Sequence, residues 1–167
     1  MPAAIALFDK NGSVTFTDRQ IAFDLKNFQP FQTHAIHIHE FGDLSRGCDS
    51  LGGHYNPTDD VHGYHAGDLI FNFTADWRGN FRDKMHQYLD VQDLYGRSVV
   101  IHEREDDLGA RGTLLMKYPM MPATAAKALC AQLGYKPAKD CVAQLVNGSL
   151  TTGNAGGRMA CAIIGRK

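Results

Sequence analysis

Six of the eight histidines in this chain fall between residues 34 and 65, a concentration that suggests metal chemistry. Imidazole nitrogens are ligands for copper, zinc, iron and nickel. His37 and His39 lie two apart in the strand-like segment HAIHIHEF. Because alternate residues of a strand share a face, both rings point one way while Ile36 and Ile38 point to the core. Two such rings form half of a metal site, and a polar strand face with two chance histidines is the alternative.

A denser group of candidate ligands follows in the segment GGHYNPTDDVHGYHAGD. It supplies His54, His62, His65 and Asp68, and three imidazoles with one carboxylate are enough to close a tetrahedral zinc site. His102 adds another imidazole in the strand-like segment SVVIHE. Seven potential ligands in four short stretches are difficult to explain as core histidines, so the sequence predicts a metal centre.

The segments that carry these residues show the two-residue period of β-strands. IALFD places Ile5 and Leu7 on one face and Ala6 and Phe8 on the other, and an Asn-Gly turn then leads into VTFT. Further strand candidates are IAFDLKNF, HAIHIHEF, DLIFNFTAD, RSVVIHE and, at the C-terminus, CAIIG. Strands separated by Gly, Pro, Asn and Asp clusters predict an all-β fold, a Greek-key barrel or sandwich of about eight antiparallel strands.

The period changes between about residues 113 and 151, where the sequence predicts a long helical hairpin inserted before the last strand. The segment TAAKALCAQL is helical in composition. Thr124 is its expected N-cap, and Gly134 follows its expected end. We expect this insert to belong to a single domain that covers residues 1–167.

The second helix of the insert is predicted in the segment PAKDCVAQLV. Pro137 would occupy its first position, and Asn147–Gly148 would stop it. Cys130 and Cys141 lie at nearly equal distances from the turn between the two helices, and antiparallel helices would bring them opposite each other. We therefore predict a Cys130–Cys141 disulfide, which would contribute roughly 2–3 kcal/mol to the free energy of unfolding.

Length and composition agree with one globular domain. The chain has 167 residues and 18.4 kDa, with 44% hydrophobic and 21% charged residues, enough to bury a core. With a net charge of −1, the chain lacks the excess of basic residues that is typical of nucleic-acid-binding proteins. It also contains no apolar run long enough to predict a membrane-spanning helix. The N-terminus has no basic segment typical of a signal peptide, so we expect a cytoplasmic protein, with a signal already removed as the alternative.

Together, these motifs resemble the copper–zinc superoxide dismutase family. They occur in the order HIHEFGD, GC, GGHYNP, HAGDL, VVIHEREDDLG and GNAGGRMAC, and the likeness covers roughly residues 3–113 and 151–167. The resemblance implies that four histidines hold a copper ion: His37, His39, His54 and His102. It implies that three histidines and one aspartate hold a zinc ion: His54, His62, His65 and Asp68. The ring of His54 would then bridge both ions.

The resemblance also implies two supports for this centre. Asp106 would accept hydrogen bonds from the free nitrogens of His37 and His62. Carboxylates around metal sites commonly orient ligating histidines in this way. Cys48 and Cys161 would form a disulfide across more than 100 residues, contributing roughly 4–5 kcal/mol, and two buried free thiols are the alternative.

The activity implied by the resemblance is dismutation of superoxide to oxygen and hydrogen peroxide, by a copper ion that cycles between Cu(II) and Cu(I). Arg158 would guide the anion to the copper, and Thr152 would limit access at the mouth of the channel. The alternative is a catalytically inactive metal-binding or copper-chaperoning protein on the same scaffold. An electron-transfer copper protein is disfavoured, because such sites prefer a cysteine ligand and no cysteine here lies among the candidate ligands.

The same resemblance implies two partners. One is a second copy of the chain, bound through patches near Leu51 and in the C-terminal AIIG, and the other is a copper chaperone. The chain also departs from the family in two places. His62 and His65 are unusually close, which leaves the zinc geometry open. The insert carries four lysines that could form a positive rim around the channel: Lys117, Lys127, Lys136 and Lys139. As alternatives, the insert could cover the channel or bind a partner.

Two histidines are left outside the predicted metal centre. His34 lies off the parity of the His37 strand face, so we expect a structural histidine. His86, in the segment KMHQY, has no partner motif and is expected to face solvent.

Overall fold

The computed structural model describes residues 3–117, 123–134 and 141–167. The described residues form nine strands: β1 (Ala3–Phe8), β2 (Gly12–Thr17), β3 (Gln20–Leu25), β4 (Thr33–His39), β5 (Ser45–Cys48), β6 (Asp68–Thr74), β7 (Phe81–His86), β8 (Ser98–His102) and β9 (Arg158–Arg166). They also form four helices: α1 (Val91–Leu94), α2 (Ala110–Lys117), α3 (Ala123–Gln132) and α4 (Cys141–Thr152).

Eight of the strands form one antiparallel sheet in the order β6-β4-β8-β9-β1-β2-β3-β7, curled into a half-barrel. The two outer strands, β6 and β7, are consecutive in the chain. The rings of Phe73 and Phe81 meet between them with centroids 5.3 Å apart, so side-chain packing brings the two edges together. The predicted antiparallel Greek-key architecture is confirmed.

The barrel core is built by the expected alternation of faces. In β1, the inward residues Ala4, Ala6 and Phe8 are buried, while Ile5 and Leu7 point outward. The predicted Asn-Gly turn joins β1 to β2. β7 was not predicted, because three consecutive charged residues at positions 82–84 hide its period.

β4 is buried on both faces, whereas a strand at the surface would expose one of them. Ile36 and Ile38 are fully buried in the barrel core. His37 and His39 are only 2% and 1% exposed, on the opposite face. Residues 54–68 and 102–106 cover that face, so the histidines lie in an enclosed site and the alternative of a polar surface face does not apply.

The insert contains three described helices, where the sequence predicted two. α2 was not predicted, and it packs mainly against α4. α3 begins at Ala123, so Thr124 lies inside the helix and its assignment as N-cap is wrong. Gly134 follows the helix with a positive φ of 77°, as expected of a residue that ends one.

The second predicted helix has different bounds. α4 continues through Asn147–Gly148 to Thr152, so the predicted stop is wrong, and Pro137 lies outside the described residues. Cys141, Leu145 and Ser149 form a continuous buried face along α4. Tertiary packing of this face overrides the local preference of Asn-Gly to end a helix.

Two disulfides crosslink the fold. Cys48–Cys161 joins the end of β5 to β9 with a Cα–Cα distance of 5.8 Å. Cys130–Cys141 joins α3 to α4 with a Cα–Cα distance of 6.1 Å. Both predicted pairings are therefore present. None of the helices in the described ranges is long and apolar enough to cross a membrane.

Candidate metal centre

Two adjacent strands and one loop bring four buried imidazoles together. β4 supplies His37 and His39, and its neighbour β8 supplies His102. His54 reaches the same place through an isolated bridge to His39. One nitrogen from each ring lies within 4.8 Å of the others, and we call these four residues the histidine group.

Hydrogen bonds determine which nitrogen each ring of the histidine group presents. The Nδ1 atoms of His39 and His102 donate to the carbonyl oxygens of Gly52 and Gly156, at 3.1 and 3.3 Å. Because a carbonyl only accepts, Nδ1 carries the proton and Nε2 keeps its lone pair. His37 is reversed: its Nε2 donates to a carboxylate, which leaves Nδ1 free.

The four free nitrogens of the histidine group are buried and have no hydrogen-bond partner among the described residues: His37 Nδ1, His39 Nε2, His54 Nε2 and His102 Nε2. A buried acceptor without a partner costs free energy, typically about 1–3 kcal/mol. Four such lone pairs that converge on one point fit a cation. All-imidazole coordination suits copper.

A second set of ligands lies beside the first and shares His54 with it. Its members, His54, His62, His65 and Asp68, also offer atoms within 4.8 Å of one another, and we call them the mixed group. The three Nδ1 atoms lie 2.6, 3.3 and 3.1 Å from the carboxylate oxygens of Asp68. Three nitrogens and one carboxylate make a zinc-type donor set.

The short interval between His62 and His65 does not keep their rings apart. Gly63 has a φ of 92°, a left-handed conformation that turns the chain between them. Its N–H donates to Asp68 Oδ2 at 2.6 Å, so the turn also holds the carboxylate in place. The ring centroids of His62 and His65 are 5.5 Å apart.

The His54 ring connects the two groups through its two nitrogens. Nδ1 contacts Asp68 in the mixed group, and Nε2 is one of the four free nitrogens of the histidine group. The centroid of the His54 ring lies 4.1 Å from that of His37 and 5.3 Å from that of His62. The donor atoms are therefore arranged for two neighbouring ions with one ring between them.

Asp106 braces both groups from behind. Its carboxylate accepts hydrogen bonds from His37 Nε2 at 2.8 Å and His62 Nε2 at 2.9 Å, the two contacts that the resemblance implies. Burial raises the pKa of Asp106, but these hydrogen bonds outweigh burial and lower the pKa well below its usual range. Asp106 is therefore ionised and holds the N–H of each ring toward itself.

Asn72 was missed by sequence reasoning. Its side chain accepts from the Asp106 N–H at 2.7 Å and donates to the Asp106 carbonyl at 2.8 Å, which fixes the backbone of the brace. The only signal was a polar residue on the strand DLIFNFT, and that pattern is common on sheet surfaces.

Electrostatics keep three rings of the histidine group neutral and able to bind metal. Burial is the main cause that lowers the pKa of His39 to about 2, of His102 to about 3 and of His54 to about 4, and repulsion from neighbouring rings adds to it. Burial raises the pKa of Asp68, but hydrogen bonding to His54 and the adjacent rings outweighs burial and lowers it to about 2.

Arg158 lies beside the histidine group at the start of β9. Its guanidinium donates to the carbonyls of Cys48 at 2.8 Å and Gly52 at 2.6 Å. The Gly52 carbonyl also accepts from His39, so the cation and a ring of the group are fixed to the same peptide. Burial lowers the pKa of Arg158, and its guanidinium remains charged at neutral pH.

The remaining predicted residues belong to neither group of ligands. Thr152 is the last residue of α4, where its exposed hydroxyl donates to the Gly148 carbonyl at 3.1 Å. Its role at a channel mouth stays a prediction. His34 is buried against Phe28 and Phe73, and its Nδ1 bonds the His102 carbonyl, while His86 is exposed.

Comparisons with known proteins give a consistent family. A family model described as copper/zinc superoxide dismutase (SODC) matches residues 10–131. The chain is 33% identical over 152 residues to an extracellular superoxide dismutase [Cu-Zn] of Rattus norvegicus, which covers 87% of this chain and 48% of that protein. It is 31% identical over 179 residues to a superoxide dismutase [Cu-Zn] of Paramecium bursaria Chlorella virus 1, covering 98% and 78%.

Two further likenesses differ in their names. The chain is 37% identical over 140 residues to a copper chaperone for superoxide dismutase of Sus scrofa, covering 80% of this chain and 39% of that protein. A solved structure titled as the clock protein EA4 superposes with a TM-score of 0.70 at 28% identity, covering 98% and 93% of the two chains. The chain spans about half the length of the extracellular relatives it matches.

Proposed function

The chain belongs to the copper/zinc superoxide dismutase family, and from that premise we propose that it converts superoxide to oxygen and hydrogen peroxide. One observation carries this proposal. Four buried ring nitrogens without a described partner converge beside a zinc-type ligand set, and His54 belongs to both. The metals of this family are copper and zinc. The histidine group would hold the copper, and the mixed group would hold the zinc.

The described residues suit the chemistry that such a pair of metals supplies. When bound, copper provides one-electron exchange between two oxidation states, which zinc lacks. Arg158 attracts the small superoxide anion toward the histidine group. Nε2 of His54 would take up a proton from solvent in one half of the reaction and give it to peroxide in the other, where solvent supplies the second proton of hydrogen peroxide. Nδ1 of the same ring stays in the mixed group and keeps the ring in place.

The competing function is copper delivery without turnover, and a specific likeness supports it. The relative from Sus scrofa at 37% identity is named as a copper chaperone. Against this, all four residues of the histidine group are present and aligned, and Arg158 is held next to them. An inactive carrier has no need for an anion-guiding cation beside a complete set of ligands. We therefore favour the enzyme.

We also propose that two copies of the chain associate. The aromatic Phe41 and the β9 residue Ile163 are 56% and 41% exposed, and Ile163 belongs to the C-terminal AIIG patch. Leu51 itself is fully buried, whereas Gly53 in the same segment is exposed, and the part of this segment in a dimer contact stays a prediction. Delivery of copper by a separate chaperone and a cytoplasmic location stay predictions.

The proposed activity is tested by replacing one histidine inside the site and one outside it. His102→Ala removes a ring of the histidine group, and we expect superoxide decay to fall to background with loss of bound copper. His86→Ala removes an exposed ring on β7 and should leave both unchanged. Metal content and superoxide decay are measured on the same preparations.

The same experiment separates the enzyme from the carrier. About one copper and one zinc per chain with rapid superoxide decay in the wild type supports the enzyme. One copper per chain without turnover, combined with transfer of that copper to a metal-free dismutase, would support the carrier instead.

A further inference from the structure

The helical insert, defined as α2 to α4, lies directly against the brace of the metal centre. The N–H of Asp107 donates to the carbonyl of Gly153, the residue that follows α4, at 2.8 Å. A Cβ atom at Gly153 would lie only 1.6 Å from Asp106 Oδ1 and 2.8 Å from His62 Nε2. The backbone at the end of α4 therefore lies on the carboxylate that orients His37 and His62.

A hydrogen-bond network around Asp107 fastens the insert to this brace. Ser149 Oγ of α4 donates to Asp107 Oδ1 at 2.6 Å, and Asn154 Nδ2 donates to Asp107 Oδ2 at 3.0 Å. The N–H of Gly112 in α2 donates to the same Ser149 oxygen at 2.8 Å. Ser149 is fully buried. One hydroxyl thus joins two helices of the insert to the residue next to Asp106.

The opposite end of α4 is fixed by the second disulfide. Cys141 begins the helix and is bonded to Cys130 of α3. Cys141, Leu145 and Ser149 are spaced four residues apart, so they share one face, and all three are buried. Leu145 and Leu133 form a small hydrophobic cluster with the two cysteines. α4 is therefore a rod of about 12 Å from cysteine to serine, held at both ends.

We propose that Cys130 and Cys141 act as a remote positioning pair for the metal centre. By fixing the start of α4, the disulfide holds Ser149 and Gly153 against Asp107 and Asp106. Asp106 in turn keeps the rings of His37 and His62 oriented toward the ions. This inference rests on the proposed metal-binding function.

The test measures zinc binding to metal-free protein, independently of superoxide turnover. In the double variant Cys130→Ser/Cys141→Ser, competition with a chromophoric chelator should show about tenfold weaker zinc binding, as for other changes to outer-shell support. The visible spectrum of Co²⁺ bound in place of zinc should also change. Lys127→Ala, an exposed change on α3, is the matched control and should alter neither.

Variants of Ser149 decide whether the effect passes along α4. Ser149→Ala should weaken zinc binding to a similar degree, and Ser149→Thr, which keeps the hydroxyl, should restore it. When Ser149→Ala is combined with the two cysteine changes, the loss should not exceed the larger single effect, because both act through one contact. Since the barrel has a separate core, its thermal unfolding in the same samples shows that the fold is retained.

Three results would overturn the inference: wild-type zinc affinity and Co²⁺ spectrum in the double cysteine variant, additive losses in the combined variant, or no rescue by threonine. A wild-type protein that binds zinc with the predicted dependence on the disulfide but does not consume superoxide would leave the inference standing and refute only the proposed activity. A wild-type protein that binds no zinc would refute both.

Discussion

Backbone carbonyls select the nitrogen that His39 and His102 present to the site. Each carbonyl accepts a hydrogen bond from the Nδ1–H group, so the Nε2 lone pair points inward. His37 is held the other way round by a carboxylate. These choices are made before any ion arrives, so the free energy of ordering the rings belongs to folding, and metal binding does not have to supply it.

The same burial makes the metal-free protein sensitive to acid. In an unfolded chain these histidines have pKa values near 6.5, whereas in the fold those of His39, His54 and His102 lie between about 2 and 4. As the pH falls below 6.5, the unfolded state binds protons that the folded state does not. Each ring then removes up to about 1.4 kcal/mol of stability per pH unit, until its folded pKa is reached.

One histidine acts in the opposite direction and reduces this effect. Burial lowers the pKa of His62, but hydrogen bonding to Asp106 and the charges of Asp106 and Asp68 outweigh burial and raise it. Its contribution is fully present at low pH and is lost as the pH rises. We expect the three lowered rings to dominate, so urea unfolding of metal-free protein should give a lower free energy at pH 5 than at pH 7.

A matched histidine change provides the control for this pH dependence. His86→Gln removes an exposed ring and should leave the difference between pH 5 and pH 7 unchanged. Equal stability at both pH values in the metal-free wild type would contradict the expected neutrality of the buried rings.

Among the elements, the pairing of β4 with β8 assembles most of the histidine group. His37 is paired with Val100 and His39 with Ser98 in this ladder, which places His102 on the adjoining strand within reach of both rings. The loop that follows α4 then closes the centre over Asp106. Strands position three of the four rings of the histidine group, and the close contact of Gly153 with Asp106 covers the centre.

The contact between Gly153 and Asp106 predicts that a single added methyl group at Gly153 weakens the site. Gly153→Ala would place a Cβ against Asp106 Oδ1 at a residue with φ of 63°, so both space and backbone conformation oppose the change. We expect zinc binding at least tenfold weaker, together with a lower thermal midpoint in the metal-loaded protein. Gly165→Ala in β9 meets open space and should preserve zinc affinity, so equal losses in the two variants would contradict the argument.

The sequence predicted which side chains come together in the two groups, because histidines and an aspartate at these spacings can be recognised from residue type and position. The polar residues that support them carry no such signal: Asn72 looks like any polar residue on a strand, and Ser149 like any serine in a helix. α4 was predicted too short, because local propensity at Asn147–Gly148 says nothing of the packing that extends the helix. α2 was missed because Gly109 precedes it and Gly112 lies in its first turn, and glycine disfavours a helix.

At the scale of the whole molecule, covalent closure differs greatly between the two disulfides. Cys48–Cys161 spans 113 residues and encloses five of the seven candidate ligands, whereas Cys130–Cys141 spans 11 and encloses only part of the insert. A crosslink that removes more freedom from the unfolded chain stabilises the fold more. The loop fixed by Cys48 also provides both carbonyls that hold Arg158.

The two disulfides should therefore differ in their effect on stability. Replacing Cys48 and Cys161 by serine should lower the free energy of unfolding of the metal-free protein by roughly 4–5 kcal/mol. The same replacement of Cys130 and Cys141 should lower it by roughly 2–3 kcal/mol. Urea unfolding under identical, non-reducing conditions measures both, and a larger loss from the second pair would contradict the chain-entropy argument.

The barrel and the insert each enclose their own apolar residues. Leu133 and Leu145 pack together in the insert, while Phe16 and Phe73 belong to a separate cluster between the strands. Thermal fluctuations can therefore open the helices as an independent cooperative unit while the strands stay closed. Over evolutionary time, the same separation lets the helices drift in sequence without any repacking of the barrel, provided that the few atoms touching Asp107 are kept.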